Sequence, residues 1–323
     1  MDFRSIGGTT VMAGGTVKAM LLPALQKANK ELTKMVEKGR KNFDAMKYDH
    51  LDEYVKVDCE AGLFALRPIS LYCNCMKEVG VKTRAELEEL WKECYRHEEV
   101  RERVEEFLSL EESLQELYDE VDVEIQKRED QLAVHNVTKV GEQLPAEISL
   151  TECKSGKLVC LENVWKQSKF TLFVPLKFSS WGPWNVHLEG IGAKRTEFEQ
   201  LGCQVVVIDS GPREGGLEWL LDHSYPFPLL LDQDRVFYRQ VGLGRTLKDA
   251  FCIKNFQYYA DAEMNSGKLN PGVYKFYAGG DFSGKGGDFI VDSTGKLLYA
   301  HLTKNQFDRP DIGTLVEFLQ QIV

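Results

Sequence analysis

Two apolar runs limit what this chain can fold into: KFTLFVPLKF at residues 169–178 and CQVVVIDS at residues 203–210. Neither alternates cleanly between apolar and polar residues, so each must bury both faces, as a strand does inside a parallel sheet covered by helices. Between them NVHLEGIGAKRTEFEQLG predicts a helix ending at Gly202. The same alternation continues on either side. ISLTECKSGKLVCLENVW predicts two short strands around a Ser155-Gly156 turn, GGLEWLLDHS a helix, and FPLLLD a strand. GGDFIVDSTGKLLYAH adds strand with a Ser-Thr-Gly turn, and DIGTLVEFLQQIV closes with a helix. Strands alternating with helices require a mainly parallel central sheet with helices on both faces.

Ahead of residue 135 the period changes to three and four. Leu87, Leu90 and Cys94, then Val100, Val104 and Phe107, then Leu114, Leu117, Val121 and Ile125 mark helical faces. Thr83 with Glu86, and Ser109 with Glu112, read as capping boxes that start helices. A basic helix is expected over roughly residues 17–47. Residues 51–130 carry 23 Asp/Glu against 11 Lys/Arg, so the basic helix has an acidic partner available. The expected organisation is a charge-rich α-helical domain at 1–135 and an α/β domain at 136–323. The helical part carries no motif of its own.

A formal charge of −10 argues against nucleic acid, which needs a basic face. No stretch approaches 18 apolar residues, and the first twenty residues lack the pattern of a signal peptide. The expectation is a cytoplasmic protein that engages no membrane. Eight cysteines, at 59, 73, 75, 94, 153, 160, 203 and 252, show neither zinc-site spacing nor disulfide density. Reduced, packed thiols are expected, with no metal and no cofactor; a redox role for Cys73 and Cys75 is the alternative to packing. The glycines of GGDFSGKGGDF lack the spacing of a phosphate loop.

In an α/β sheet of this kind the reactive site lies at the carboxyl end of a strand, where the next helix begins. SSWGPWN occupies that place after the first buried run. Unpaired N–H groups and the positive end of the dipole at a helix start stabilise an anion and lower the pKa of a thiol. Proline in the first helical turn loses no hydrogen bond. SWGPW resembles the thioredoxin motif WCGPC: Gly182 and Pro183 match, while Trp181 and Trp184 stand where the two cysteines would be.

The surrounding domain resembles the peroxiredoxin-like branch of the thioredoxin superfamily, through SGKLVCLENVW, LGCQVVVIDS, YPFPLLLDQDRVFYRQVGL, GGDFIVDSTGKLLYAH and DRPDI. Within it the chain is similar to the selenoprotein L family, whose motif is selenocysteine-x-x-selenocysteine. Selenocysteine is encoded by UGA, one base from the tryptophan codon UGG. The resemblance implies that Trp181 and Trp184 hold the two selenocysteine positions, supported by Gly182 and Pro183. It also implies a selenol or thiol–disulfide oxidoreductase acting on a disulfide or peroxide, recycled by a thiol reductant such as thioredoxin or glutathione. The form bearing tryptophan is then expected to be redox-inactive. The alternative is a natural pseudoenzyme or binding module that uses the Trp181/Trp184 aromatic pair.

The chain departs from the family pattern in two places. The peroxiredoxin motif puts proline seven residues, and a hydroxyl three residues, before the reactive cysteine; here Pro175 lies six before Trp181 and Phe178 takes the hydroxyl position. That favours dithiol-type exchange over direct peroxidase chemistry. The segment where thioredoxins carry a cis-proline reads Gly286-Gly287-Asp288-Phe289. Cys252 as a resolving thiol and a His301–Asp308 pair are lesser candidates.

Overall fold

In the computed structural model the chain divides into two units, Met1–Val121 with Phe251–Val273, and Asp122–Ala250 with Tyr274–Val323. The structure describes residues 5–6, 9–10, 14–48, 50–60, 66–132, 136–176, 182–248, 251–266, 283–304 and 308–323; at 5–6, 9–10, 14–16, 56–60, 66, 182–185 and 266 it describes the backbone alone. In chain order the elements begin with β1 (Ser5–Ile6), β2 (Thr9–Thr10), α1 (Gly14–Met46), α2 (Leu51–Glu60), α3 (Leu66–Val79), α4 (Arg84–Cys94) and α5 (Glu98–Leu132). There follow β3 (Ser149–Glu152), β4 (Leu158–Cys160), α6 (Leu161–Trp165), β5 (Phe170–Leu176), α7 (Gly182–Ala193), α8 (Arg195–Gln200), β6 (Cys203–Asp209) and α9 (Arg213–His223). The last are β7 (Leu229–Leu231), α10 (Val236–Gln240), α11 (Ile253–Ser266), β8 (Gly287–Asp292), β9 (Leu297–Leu302) and α12 (Ile312–Ile322).

The first unit is almost wholly helical, and α11, far along the chain, belongs to it. Thr83 caps α4 as its sequence indicated, with Glu86 completing the box. Ser109 and Glu112 start nothing, because α5 runs unbroken from Glu98 to Leu132. The apparent break in its apolar spacing is filled by a charge. Val100, Val104, Phe107, Glu111, Leu114, Tyr118, Val121 and Ile125 form one buried row at steps of three and four, and Glu111 is its acidic member.

Glu111 can be buried because Arg84 grips it with two hydrogen bonds, at 2.9 and 3.0 Å, and the Tyr72 hydroxyl donates to it as well. The guanidinium lies 4.4 Å from the centre of the Trp91 ring, which gives the cation an aromatic face in place of water. On α4 the buried row accordingly passes through Arg84, Leu87, Trp91 and Cys94. The basic helix and the acidic block do meet: Lys18 pairs with Glu99 at 2.8 Å, and Arg40 pairs with Glu120. Exposed pairs of this kind contribute little each.

In the second unit seven strands form one sheet in the order β4-β3-β7-β6-β5-β8-β9. The centre, β7-β6-β5, is parallel, and the flanking pairs are antiparallel. The strands β4, β7, β6, β5 and β9 therefore point one way and β3 and β8 the other, so the sheet is mixed and mainly parallel. Every residue of β5 is buried. Phe170, Leu172, Val174 and Leu176 pack with α7, α8, α9 and α12 residues such as Leu188, Ile191, Phe198, Trp219 and Leu315. Phe173 faces the other way, with Trp165 of α6 and Phe237 of α10. Covering both faces is what the apolar runs demanded, at about 1.5–3 kcal/mol for each large side chain removed from water. The β8–β9 hairpin turns at Gly295, whose φ of +85° brings it so close to Trp165 that a Cβ would lie 2.8 Å from the ring.

The Arg84–Glu111 pair generates a test. Glu111→Leu leaves Arg84 buried with only the half-exposed Glu88, at 2.8 Å, as a carboxylate partner and is expected to cost about 3 kcal/mol, whereas Arg84→Met combined with Glu111→Leu recovers most of that loss. Urea unfolding of the two single variants and the double variant measures it, and strictly additive losses would contradict the pairing argument.

Candidate functional site

The site is built where β5 ends. Its last residue is Leu176, and α7 opens at Gly182, so Gly182 and Pro183 are the first two residues of the helix and Trp184 the third. Proline fits here because the first turn has no intrahelical use for its missing N–H. Trp181 and the side chain of Trp184 lie outside the described residues. The backbone thus sets positions 182–184 in the first turn of the helix that follows β5, with five residues, 177–181, between Leu176 and Gly182.

Beside this junction is a group of charges that the sequence reading did not find. Asp288, on β8, has no exposed surface. Its Oδ1 lies 2.8 Å from Nε2 of His187 on α7, and its Oδ2 accepts from Nη1 of Arg309 at 2.7 Å. Arg309 also donates through Nη2 to the Pro175 carbonyl at 2.8 Å, and through Nη1 to the Gly287 carbonyl.

The chain itself explains why an arginine is needed there. β5 and β8 pair antiparallel as far as Phe173 opposite Phe289. Continuing that register sets Pro175 opposite Gly287, and proline has no N–H to give. The Arg309 guanidinium donates to both carbonyls instead and closes the gap the proline opens. Gly287 leaves no room for a side chain, since a Cβ there would lie 2.5 Å from the His301 carbonyl oxygen. The neighbouring Leu176 carbonyl accepts from the Tyr238 hydroxyl at 2.7 Å. Nothing in the local sequence signals the charged group, because its members come from a helix, a strand and a loop far apart in the chain.

Burial alone would push the Asp288 carboxyl upward, but the Arg309 charge and the hydrogen bond from His187 outweigh it and hold it below the ordinary value of 3.8. Burial lowers the Arg309 guanidinium from its ordinary value, with Asp288 opposing. Asp288 is therefore an anion with one oxygen committed to the arginine and the other to the imidazole.

Three buried cysteines are poor nucleophiles. Burial pushes Cys73 up to about 11, and Cys75 and Cys203 up to about 12. Cys73 and Cys75 both lie on α3 and are buried, which supports packing. Cys252 belongs to the first unit and immediately precedes α11. His301 and Asp308 do meet, with Nε2 3.4 Å from Oδ1 and 3.1 Å from the Asp308 carbonyl oxygen. A groove of about 410 Å³ lies at the opposite, amino end of β5 and β6, lined by Lys169, Phe198, Cys203 and Phe227 among others, and includes no residue of α7. Among the described residues no group of His, Cys, Asp and Glu is set to hold a metal, and no helix is long and apolar enough to cross a membrane.

Residues 191–305 match the family model described as AhpC/TSA antioxidant enzyme. The fold is thioredoxin-like, of the peroxiredoxin kind, with a helical region before it. No curated protein matches the chain. Among solved structures, the peroxidoxin BcpB from Mycobacterium tuberculosis is 14% identical, with a TM-score of 0.42 over 58% of this chain and 99% of that one. A thiol peroxidase from Chromobacterium violaceum is 15% identical, with a TM-score of 0.40 over 58% of this chain and 90% of that one. A mutant of peroxiredoxin 6 from Arenicola marina is 11% identical, with a TM-score of 0.41 over 57% of this chain and 73% of that one. None of these is similar enough to transfer a residue's role. The family match begins within α7, after Trp184 and His187, so it spans β6 to β9 and does not reach positions 181–184.

Asp288→Asn keeps the shape of the side chain and removes the carboxylate charge that Arg309 meets at 2.7 Å; the expected loss is about 3–5 kcal/mol. Because the carboxyl titrates lower in the folded state, folding favours its ionised form. That contribution is complete above the ordinary value of 3.8 and is lost as pH falls through the folded value. Urea unfolding from pH 7 downward should show this acid-sensitive component in the parent chain and not in Asp288→Asn.

Proposed function

We propose that the thioredoxin-like domain is the scaffold of a chalcogen-based oxidoreductase whose redox pair occupies positions 181 and 184. One observation carries this reading: Gly182 and Pro183 open a helix directly after a buried parallel strand, flanked on both sides by the same anomalous residue. The match of residues 191–305 to an antioxidant-enzyme family supports it from the rest of the sheet. In the selenocysteine form, the residue at 181 is the attacking selenolate and the residue at 184 resolves the intermediate, so the pair cycles between reduced and diselenide states. Disulfides or peroxides are the oxidising substrates, and a thiol such as glutathione or reduced thioredoxin is the reductant.

The helix start favours an anion at the first position. A selenol is more acidic than a thiol and needs little of that help to ionise at neutral pH. An indole neither ionises in this range nor forms a bond to sulfur, so the chain bearing Trp181 and Trp184 is a structural counterpart of the active form without its chemistry.

Trp181→Cys combined with Trp184→Cys should create exchange that the parent chain lacks. Positions i and i+3 at a helix start bring two thiols within bridging distance, so oxidation should close an internal disulfide. The first thiol should titrate below the free value of about 8.5. Turnover of glutathione disulfide or hydrogen peroxide with dithiothreitol, beside both single variants and the parent, reads the gain. A folded double variant with neither exchange nor a 181–184 bond would leave the aromatic pair as a binding platform.

A further inference from the structure

We propose that the groove at the amino end of β5 and β6 binds an extended peptide segment bearing an acidic side chain, which continues the sheet beside Val205. The groove lies at the other end of the strands from Gly182, and the proposal does not depend on the redox reading.

The groove exists because β6 is longer than one of its neighbours. β5 pairs with it from Cys203 to Asp209, whereas β7 pairs with it only from Val207 to Asp209. Two hydrogen bonds fix which way each residue of β6 faces. Phe170 donates to the Gly202 carbonyl at 3.0 Å, so even-numbered residues turn toward β5. Val207 donates to the Pro228 carbonyl at 2.9 Å, so odd-numbered residues turn toward β7. The N–H and C=O of Val205 therefore face the place where β7 is missing. Continuing the β7 register would bring residue 228 to the Val205 carbonyl, but Pro228 has no N–H to give, and the chain bends at Pro226 and Phe227 instead. Among the described residues neither backbone group of Val205 has a partner, although the residue is buried. Backbone groups of buried residues are nearly always paired, so this edge calls for something that meets it.

The unmet groups select the kind of ligand. The donor and acceptor of one strand residue are met together by the acceptor and donor of an adjoining main chain, which is how a peptide adds to a sheet. A lone carboxylate would meet the N–H and leave the C=O without a donor. Cys203 to Val205 offers about 7 Å of edge, enough for two or three peptide residues, and the groove has about 410 Å³ to hold them. Phe198 and Phe227 line it and suit an apolar side chain. Of the two cations at the groove, Arg195 is met by Glu199 at 2.6 Å, whereas Lys169 is paired with no Asp or Glu among the described residues. That excess of positive charge favours an acidic side chain on the peptide.

The test uses the full chain, with the capped tripeptide acetyl-Val-Phe-Asp-amide as probe. In the free chain the Val205 amide should exchange with deuterium on the order of a hundredfold faster than the Val207 amide, which is bonded to Pro228. Equal rates for the two would mean that the edge is closed, and would overturn the proposal. Added peptide should shift the amide signals of Cys203, Gln204, Val205 and Phe227 and slow the Val205 exchange. No change at millimolar peptide would show a gap that holds water only, and would equally overturn it. N-methylation of the peptide amides removes their donors and should weaken binding about tenfold; a methylated probe that binds as well as the first rules out main-chain addition. Lys169→Glu alters an exposed side chain, and should weaken binding about threefold and turn the preference toward a probe with lysine in place of aspartate. An unchanged preference overturns the acidic assignment. All of these readouts are taken without redox turnover, so their failure leaves the reading of positions 181 and 184 untouched.

Discussion

A carboxylate with no exposed surface cannot stay charged unless cations and donors replace the water it has lost, and in this protein that requirement falls on Asp288. Meeting it ties together elements that are distant in sequence. Arg309 arrives from the loop before α12, His187 from α7, and the carbonyls that share the guanidinium from the ends of β5 and β8. Pro175 is what makes the arrangement necessary. By denying an N–H to the strand pair it opens a gap at the carboxyl end of β5, and the arginine that fills the gap brings a charge needing its own counter-ion. Helix α7 is thereby tied to the sheet through a hydrogen bond to a charged group as well as through apolar packing.

The helical unit obeys the same rule with other residues. Glu111 interrupts an apolar row, and the row continues because Arg84 meets the glutamate bidentately while Trp91 covers the cation. Replacing such a pair by apolar side chains is often neutral or favourable, so its presence says more about which partners must meet than about net stability. In α5 the consequence is continuity. A capping signal at Ser109 and Glu112 is overridden because the buried row on either side stays in phase, and Ser113 satisfies its hydroxyl on the Ser109 carbonyl at 2.9 Å.

Much of the scaffold was legible from local pattern. The doubly apolar runs became β5 and β6, the Ser155-Gly156 turn joins β3 to β4, and Thr83 caps α4. The helix expected to end at Gly202 came out as two, α7 and α8, stopping at Gln200 just before that left-handed glycine. The placement of Gly182 and Pro183 at a helix start was equally readable, since proline and glycine state their backbone requirements locally. The charged support was not. In the sequence Pro175 stands only as a departure from a motif and Gly286-Gly287-Asp288-Phe289 only as a segment lacking a proline, although Pro175 and Gly287 flank the gap that Arg309 fills. His187 sat within an apolar helical pattern and gave no sign of a partner 101 residues away.

The sequence by itself determined the alternation of strand and helix, the two-faced burial of the central strands, and the helix start at Gly182 and Pro183. These follow from side-chain period and from the backbone limits of glycine and proline, which act over a few residues. Only the tertiary structure decided that His187, Asp288 and Arg309 form one group, that Glu111 belongs to a core, and that the segment after Ala250 joins the helical unit. The physical reason is that a buried charge is permitted only by partners close in space, and closeness between distant residues is set by the sheet register and the packing of helices on it.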